Sequence, residues 1–376
     1  MHLLVSLANH GWHPTAWRVT EAPAFGAATP FRSMARMAEQ GGLDAVLVGL
    51  PTASRSLRDG GRVDGVRLDA LPLLGALIGA TERIGLCAWW PGDVAEPFHV
   101  ARVFATLDHL ASGRTGWITG LEGREELGGR CGNTSFPTVE EDAAARLVEL
   151  IDVARQLWDS WEDRGFVVDQ ASGTFADPDH VHPIEHAGRF FTVRGPLNVP
   201  RPVQGQPVIL HRDVPAGPIR LGAAASAEVV LAECATIAEA TASRRDWRAS
   251  AQKHGRDPEG LRFILRVMPI LAQSEPAALK RAAELDGLAS NLGHQQAVAR
   301  VVGTPDQFVD WLVQWHEAGA CDGFDILPAV LPADLDLVVE AVVPQLRRRG
   351  LRPAGYERAT LREQLGLRRA LSRFAA

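Results

Sequence analysis

Only four cysteines occur in the 376 residues: Cys87, Cys131, Cys234 and Cys321. They lie far apart and form no C-x-x-C pair, which argues against a disulfide framework and a thiolate metal site and for reduced, buried thiols in a cytoplasmic protein. No apolar run approaches the roughly 20 residues that cross a bilayer. The opening MHLLVSLANHGWH has neither a basic n-region nor a small-residue cleavage site, so it does not read as a signal peptide. Positive charge is not in excess: 39 Lys and Arg face 45 Asp and Glu, net −6, which leaves no footprint for nucleic acid or an anionic membrane. No G-x-S-x-G, H-E-x-x-H or P-loop pattern is present. There is no internal repeat, and the one biased tract, Arg347–Arg349, reads as the solvated end of a helix.

What is present is an ordinary globular mix, 46% hydrophobic and 22% charged. Strand-like apolar runs occur at Leu3–Ala8, Ala45–Gly49, Ile84–Trp90, Thr115–Thr119, Pro207–Leu210, Glu228–Ala232, Phe263–Leu271 and Gly323–Leu327. Amphipathic helical patterns alternate with them, among them Phe31–Gln40, Leu71–Ala80, Pro97–Ala111, Val139–Trp161, Ile237–Lys253, Pro305–Ala318 and Leu335–Arg348. Eight strands, each followed by a helix, predict an α/β fold, a single (β/α)8 TIM-like barrel spanning 1–376. A doubly wound sheet is the alternative, weakened because no G-x-G-x-x-G follows the first strand. Thr304-Pro305 predicts a helix start, Gly319 its end, and Asp257-Pro258 a chain break. A long irregular loop covers 165–206.

A set of motifs runs through the chain in one order. Thr81-Glu82-Arg83-Ile84-Gly85-Leu86 precedes Glu96-Pro97-x-His99-x-Ala101-Arg102 and Leu107-Asp108-His109-Leu110-x-Ser112-Gly113-Arg114-x-Gly116-Trp117. His13-Pro14-x-Ala16-Trp17-Arg18, Ala38-Glu39-Gln40-Gly41-Gly42-Leu43-Asp44-Ala45 and Leu157-Trp158-Asp159-Ser160-Trp161 join them. So do His186-x-Gly188-Arg189-Phe190-Phe191, Pro200-Arg201-Pro202-x-Gln204-Gly205, Val302-Gly303-Thr304-Pro305, Ala318-Gly319-Ala320-Cys321-Asp322-Gly323-Phe324 and Thr360-Leu361-Arg362. Together these resemble the flavin-dependent monooxygenases related to bacterial luciferase. The nearest branch is that of nitrilotriacetate and dibenzothiophene sulfone monooxygenases. The resemblance covers nearly the whole chain. It implies a TIM-like barrel, reduced FMN from a separate flavin reductase, O2 as co-substrate, and a homodimer or a heterodimer with a family paralogue.

Departures from the family pattern gather at the C-terminal ends of strands, where barrel enzymes place their chemistry. Gly49 stands where the family has Asp. Trp89-Trp90-Pro91-Gly92 replaces a Thr/Ser-rich run, Trp117-Ile118-Thr119-Gly120-Leu121-Glu122 replaces W-N-V-V-T-S, and Ala144 stands where the family has Tyr, two residues before Arg146. His211-Arg212-Asp213-Val214-Pro215-Ala216-Gly217-Pro218 replaces the phosphate cradle; its prolines remove N–H donors and Asp213 repels a phosphate, while Arg212 can compensate. The insertion that the resemblance leads one to expect after strand 7 is shortened to 274–300.

His10 and His211 are therefore candidate proton-moving groups. Arg212, Arg146, Thr119 and Trp89 are candidate cofactor contacts, and Trp90, Gly49 and His13 candidate pocket residues. His13 also belongs to the frame motif, and Trp89, Trp90 and Trp117 suit barrel packing as well as ligand stacking. The Asp177, Asp179, His180, His182, Glu185 and His186 cluster reads as frame rather than a metal site. The expected function is an FMNH2- and O2-dependent monooxygenase of a small organic substrate. The alternatives are a flavin-degenerate, non-catalytic partner subunit and a flavin-independent reaction in the barrel pocket.

Overall fold

The computed structural model describes residues 1–20, 27–50, 68–92, 95–121, 140–213, 217–288 and 298–374. Strands and helices alternate as the sequence pattern predicts: β1 (His2–Leu7), α1 (Thr29–Gln40), β2 (Ala45–Val48), α2 (Ala70–Ile78), β3 (Gly85–Trp89), α3 (Pro97–Leu110), β4 (Thr115–Thr119) and α4 (Glu140–Asp159). Then follow β5 (Val208–Arg212), α5 (Pro218–Ala224), β6 (Val229–Ala232), α6 (Ile237–Lys253), β7 (Arg262–Leu271), α7 (Glu275–Gly287), α8 (Pro305–Glu317) and β8 (Gly323–Ile326). The hydrogen-bonded order is β6-β5-β4-β3-β2-β1-β8-β7, and β6 also pairs with β7. That cyclic order, in chain sequence, is a (β/α)8 barrel. A further parallel strand, Ala299–Gly303, adds beyond β7; it was not legible as a strand because it opens Ala-Arg.

Two compact units make up the chain. One contains Met1–Trp89, Val229–Ala249 and Leu261–Glu357; the other contains Trp90–Glu228, Ser250–Gly260 and Arg358–Ala376. The barrel strands are buried on both faces, as parallel strands covered by helices must be. Helix ends follow local rules. Thr304 caps α8 in a reciprocal box with Gln307, and Gly319 ends the turn after it at φ 67°.

Strand starts are held by carboxylates. In the first unit Asp44 accepts from Leu3 N at 2.7 Å and from Arg352 at 2.5 Å. Asp322 accepts from Phe263 N at 2.7 Å and from Arg244 at 2.5 Å. One Glu39 oxygen collects the N–H groups of Glu82, Arg83 and Ile84. In the second unit Asp108 accepts from Thr115 Oγ1 at 2.8 Å and Gln204 Nε2 at 2.7 Å. Glu228 accepts from Ile209 N and from both terminal nitrogens of Arg362.

The loop expected at 165–206 carries structure of its own: one hairpin pairs Phe166–Asp169 with Thr174–Ala176, another His186–Ala187 with Thr192–Val193. Its acidic and histidine side chains disperse into separate pairs. His180 and His182 meet Glu162, and His186 meets Glu149. Cys87, Cys234 and Cys321 are buried, and Cys131 lies outside the described residues.

Asp108→Ala would strand the buried donors of Thr115 and Gln204 and is expected to lower the unfolding free energy by about 3 kcal/mol. Urea denaturation measures this; an unchanged midpoint would show that the network carries no stability.

Candidate active site

The site residues are best followed outward along each strand, one unit at a time. In the first unit, β1 runs into a turn that holds both candidate histidines. His10 is half-buried, with Nδ1 3.1 Å from Thr20 Oγ1, and burial lowers its pKa. His13 is buried with Nδ1 2.8 Å from Thr15 Oγ1 and Nε2 3.2 Å from Asp286. Asp286 is also gripped by both terminal nitrogens of Arg300. His13 thus ties the β1 turn to α7.

At the end of β2, Gly49 adopts φ 76°, and a Cβ there would meet the Ala70 Cβ at 2.4 Å. The glycine therefore sits under α2, whose N-cap Asp69 receives Leu71 N. Trp89, at the end of β3, is buried.

Sequence reading missed the most polar part of this unit. Ser6 on β1 donates to both oxygens of Asp325 on β8, at 2.9 and 2.8 Å. Arg266 on β7 donates from Nε to the same carboxylate at 3.2 Å and from Nη1 to Glu233 at 2.5 Å. Trp12 lays its ring 4.9 Å from the guanidinium carbon. Burial raises the Asp325 pKa, against the lowering effect of Arg266. The available signal was a charged residue in each of two otherwise apolar strands, FILRVMPIL and GFDIL.

In the second unit, Trp90 and Trp117 both pack on Phe104 of α3, with ring centroids 6.4 and 5.8 Å away. Trp117 Nε1 donates to the Trp90 carbonyl at 3.0 Å. Thr119 is fully buried, and its hydroxyl meets no hydrogen-bond partner among the described residues. Arg146 of α4 donates to the carbonyls of Gly92 and Ala95 at 2.8 and 3.1 Å and lies over Phe191. Those bonds assign it to holding the turn after β3.

His211 turns toward the helices. Its Nε2 lies 3.1 Å from Ser226 Oγ, and the side chain is 1% exposed. Burial first, then the charges of Arg155 and Arg256, push its pKa down to about 3. The ring is therefore neutral beside Ser226. Side chains alternate along a strand, so Arg212 faces the opposite way. Asp213, the next residue, is paired with Arg220 at 2.9 Å. That pair removes most of the repulsion the sequence placed against an anion here.

Comparison with known proteins identifies the family. The luciferase-like monooxygenase family profile matches residues 5–298. The N-acetyl-S-(2-succino)cysteine monooxygenase of Bacillus subtilis (strain 168) is 31% identical, covering 99% of this chain and 97% of its own. The chain belongs to this family. Component A of nitrilotriacetate monooxygenase from Aminobacter aminovorans is 34% identical over 80% of this chain and 79% of its own. Among solved structures, the EDTA monooxygenase of Chelativorans sp. BNC1 superposes with a TM-score of 0.85 at 25% identity, covering 98% of each chain. The barrel and the branch expected from the motifs are those of the family.

Two measurements test the local geometry. Gly49→Ala forces both a left-handed backbone and an Ala70 contact, and is expected to destabilise by about 1–3 kcal/mol in urea melts; equal stability would remove the steric reading. For His211 the unfolded chain binds the extra proton between about pH 3 and pH 6.5. Its stabilising contribution is complete above that window and falls as pH drops, with a slope approaching about 1.4 kcal/mol per pH unit. His211→Gln should flatten the decline in stability between roughly pH 6.5 and 4.5; parallel profiles for the two proteins would show that another group carries it.

Proposed function

We propose that this chain is an FMNH2- and O2-dependent monooxygenase of a small organic substrate, fed with reduced FMN by a separate flavin reductase. The observation that carries the reading is the end of β5. Strand alternation turns Arg212 to the face opposite the buried His211, and Arg220 already answers the charge of Asp213. A phosphate group fits such a set in charge, with a guanidinium donating where backbone N–H groups are few. Bound reduced FMN would supply the electrons that activate O2.

The chain's own residues then bind, orient and shield. Arg212 holds the phosphate. Arg146 and Trp90 position the turn after β3, and His211 positions β5. Trp89 borders the ring site, and its burial keeps water from it. His10 shares a hydrogen bond with Thr20, and its imidazole would hand on a proton. His13 and Gly49 fix the backbone at the ends of β1 and β2. The protein works in the cytoplasm as a homodimer or with a paralogue; among the described residues no helix is long and apolar enough to cross a membrane.

Anaerobic titration with reduced FMN is the test. Saturable micromolar binding is expected, weakened about tenfold or more in Arg212→Ala. No binding at millimolar reduced FMN would remove a self-sufficient flavin site. A non-catalytic partner subunit or a flavin-free reaction would then be the better reading.

A further inference from the structure

The turn after β1 contains a proton count that fixes how His10 can act. Its backbone is fastened first. Leu331 N donates to the His10 carbonyl at 2.7 Å, Trp12 N to the Pro328 carbonyl at 2.8 Å and His13 N to the Ala329 carbonyl at 3.0 Å. Gly11, at φ 132°, passes so close that a Cβ would meet the Ala329 oxygen at 2.2 Å. Beyond it, the short helical turn Ala16–Arg18 brings Thr20 back within reach of the His10 ring. This turn follows the C-terminal end of β1, on the face where barrel enzymes place their chemistry.

Thr20 Oγ1 makes two contacts, 3.2 Å to the Ala16 carbonyl and 3.1 Å to His10 Nδ1. A hydroxyl has one proton and a carbonyl has none. The proton has to lie toward Ala16 for the first contact to be a hydrogen bond. The second contact then needs a proton on Nδ1, donated into a lone pair of Oγ1. With the hydroxyl turned to Nδ1 instead, two oxygens would face each other at 3.2 Å with no proton between them. Both contacts are favourable in one arrangement, the Nδ1–H form of the ring. A neutral imidazole carries one N–H, so Nε2 keeps its lone pair. Burial lowers the His10 pKa, which holds the ring neutral at neutral pH.

We propose that Thr20 is a positioning residue that sets the tautomer of His10, and that His10 therefore accepts a proton from substrate at Nε2 rather than giving one to it. In that step a substrate X–H bond breaks and its electron pair stays on the substrate. The proton bonds to the Nε2 lone pair. The imidazolium keeps its Nδ1–H on Thr20, which favours the charged form, and later releases the Nε2 proton to water. The opposite tautomer would present an N–H at Nε2 and run the transfer the other way. The proposal rests on the monooxygenase reading for what this transfer serves. The tautomer is read without flavin, so the two fail separately.

The test is long-range proton–nitrogen correlation NMR on the full chain, with isotope-labelled histidines, at about pH 8 and without flavin. The His10 signals are those lost in His10→Gln. Nδ1 should show the shift of a protonated nitrogen and Nε2 that of a bare one. Thr20→Val keeps the shape of the side chain and removes the acceptor. It should lower the ratio of the Nδ1–H to the Nε2–H form about fivefold or more. Thr20→Ser keeps the hydroxyl and should retain the wild-type ratio, which a residue that only fills space would not do. A wild-type ring in the Nε2–H form overturns the proposal. So does an unchanged ratio in Thr20→Val, or a Thr20→Ser ratio equal to that of Thr20→Val. If Thr20→Val fails to fold, the wild-type spectrum and Thr20→Ser still decide the matter.

Discussion

A parallel strand enters its sheet with unmet N–H groups, and in this barrel side-chain carboxylates meet them. Asp44 takes the N–H of Leu3, Asp322 that of Phe263, and Glu228 that of Ile209. All three carboxylates are buried or half-buried and each has an arginine partner: Arg352, Arg244 and Arg362 respectively. The arginine neutralises the charge and the backbone N–H fixes its direction, so the strand cannot slide without exposing both. In the second unit Asp108 does the same for Thr115, with the Gln204 side-chain amide as its second donor.

This constraint explains why the frame was legible in the sequence. The residues that carried the resemblance are, to a large extent, these clamps: Asp44 in Gly-Leu-Asp-Ala, Asp108 in Leu-Asp-His-Leu, Asp322 in Cys-Asp-Gly-Phe, Gln204 in Pro-x-Gln-Gly and Arg362 in Thr-Leu-Arg. They sit at the stability end of the barrel, where one geometry serves every strand pair. Apolar strand runs and capping signals such as Thr304 gave the remaining boundaries through purely local chemistry. The candidate site was less legible for a physical reason. Whether a polar side chain on a strand faces the barrel interior or the helices depends on its partner across the strand, and the residue type alone carries no such information. His211 read as a pocket histidine and lies against Ser226 instead. Ser6, Arg266 and Asp325, hidden in apolar runs, form the interior cluster.

Charge at the opposite strand ends is also answered locally. Asp213 beside Arg220 changes the meaning of the turn after β5, since an acidic residue read from sequence as hostile to phosphate is already paired. The imidazole of His211 lies near Arg155 and Arg256, and their charges oppose its protonation. That keeps positive charge on the arginines, which cannot lose it, and off a group that could.

Gly49 shows why a missing functional residue is not the same as an emptied site. The family pattern has an Asp at this position, which suggests a simple loss. Here the backbone is left-handed and the absent side chain points at Ala70, so the glycine is part of how α2 docks over β2. Restoring Asp would clash before it could reach any ligand. The polar work on this side of the barrel falls to groups already anchored, and Arg266 is one of them, with an Nη2 that meets no acceptor among the described residues. Its two carboxylate partners hold it rigid and at the same time consume its charge.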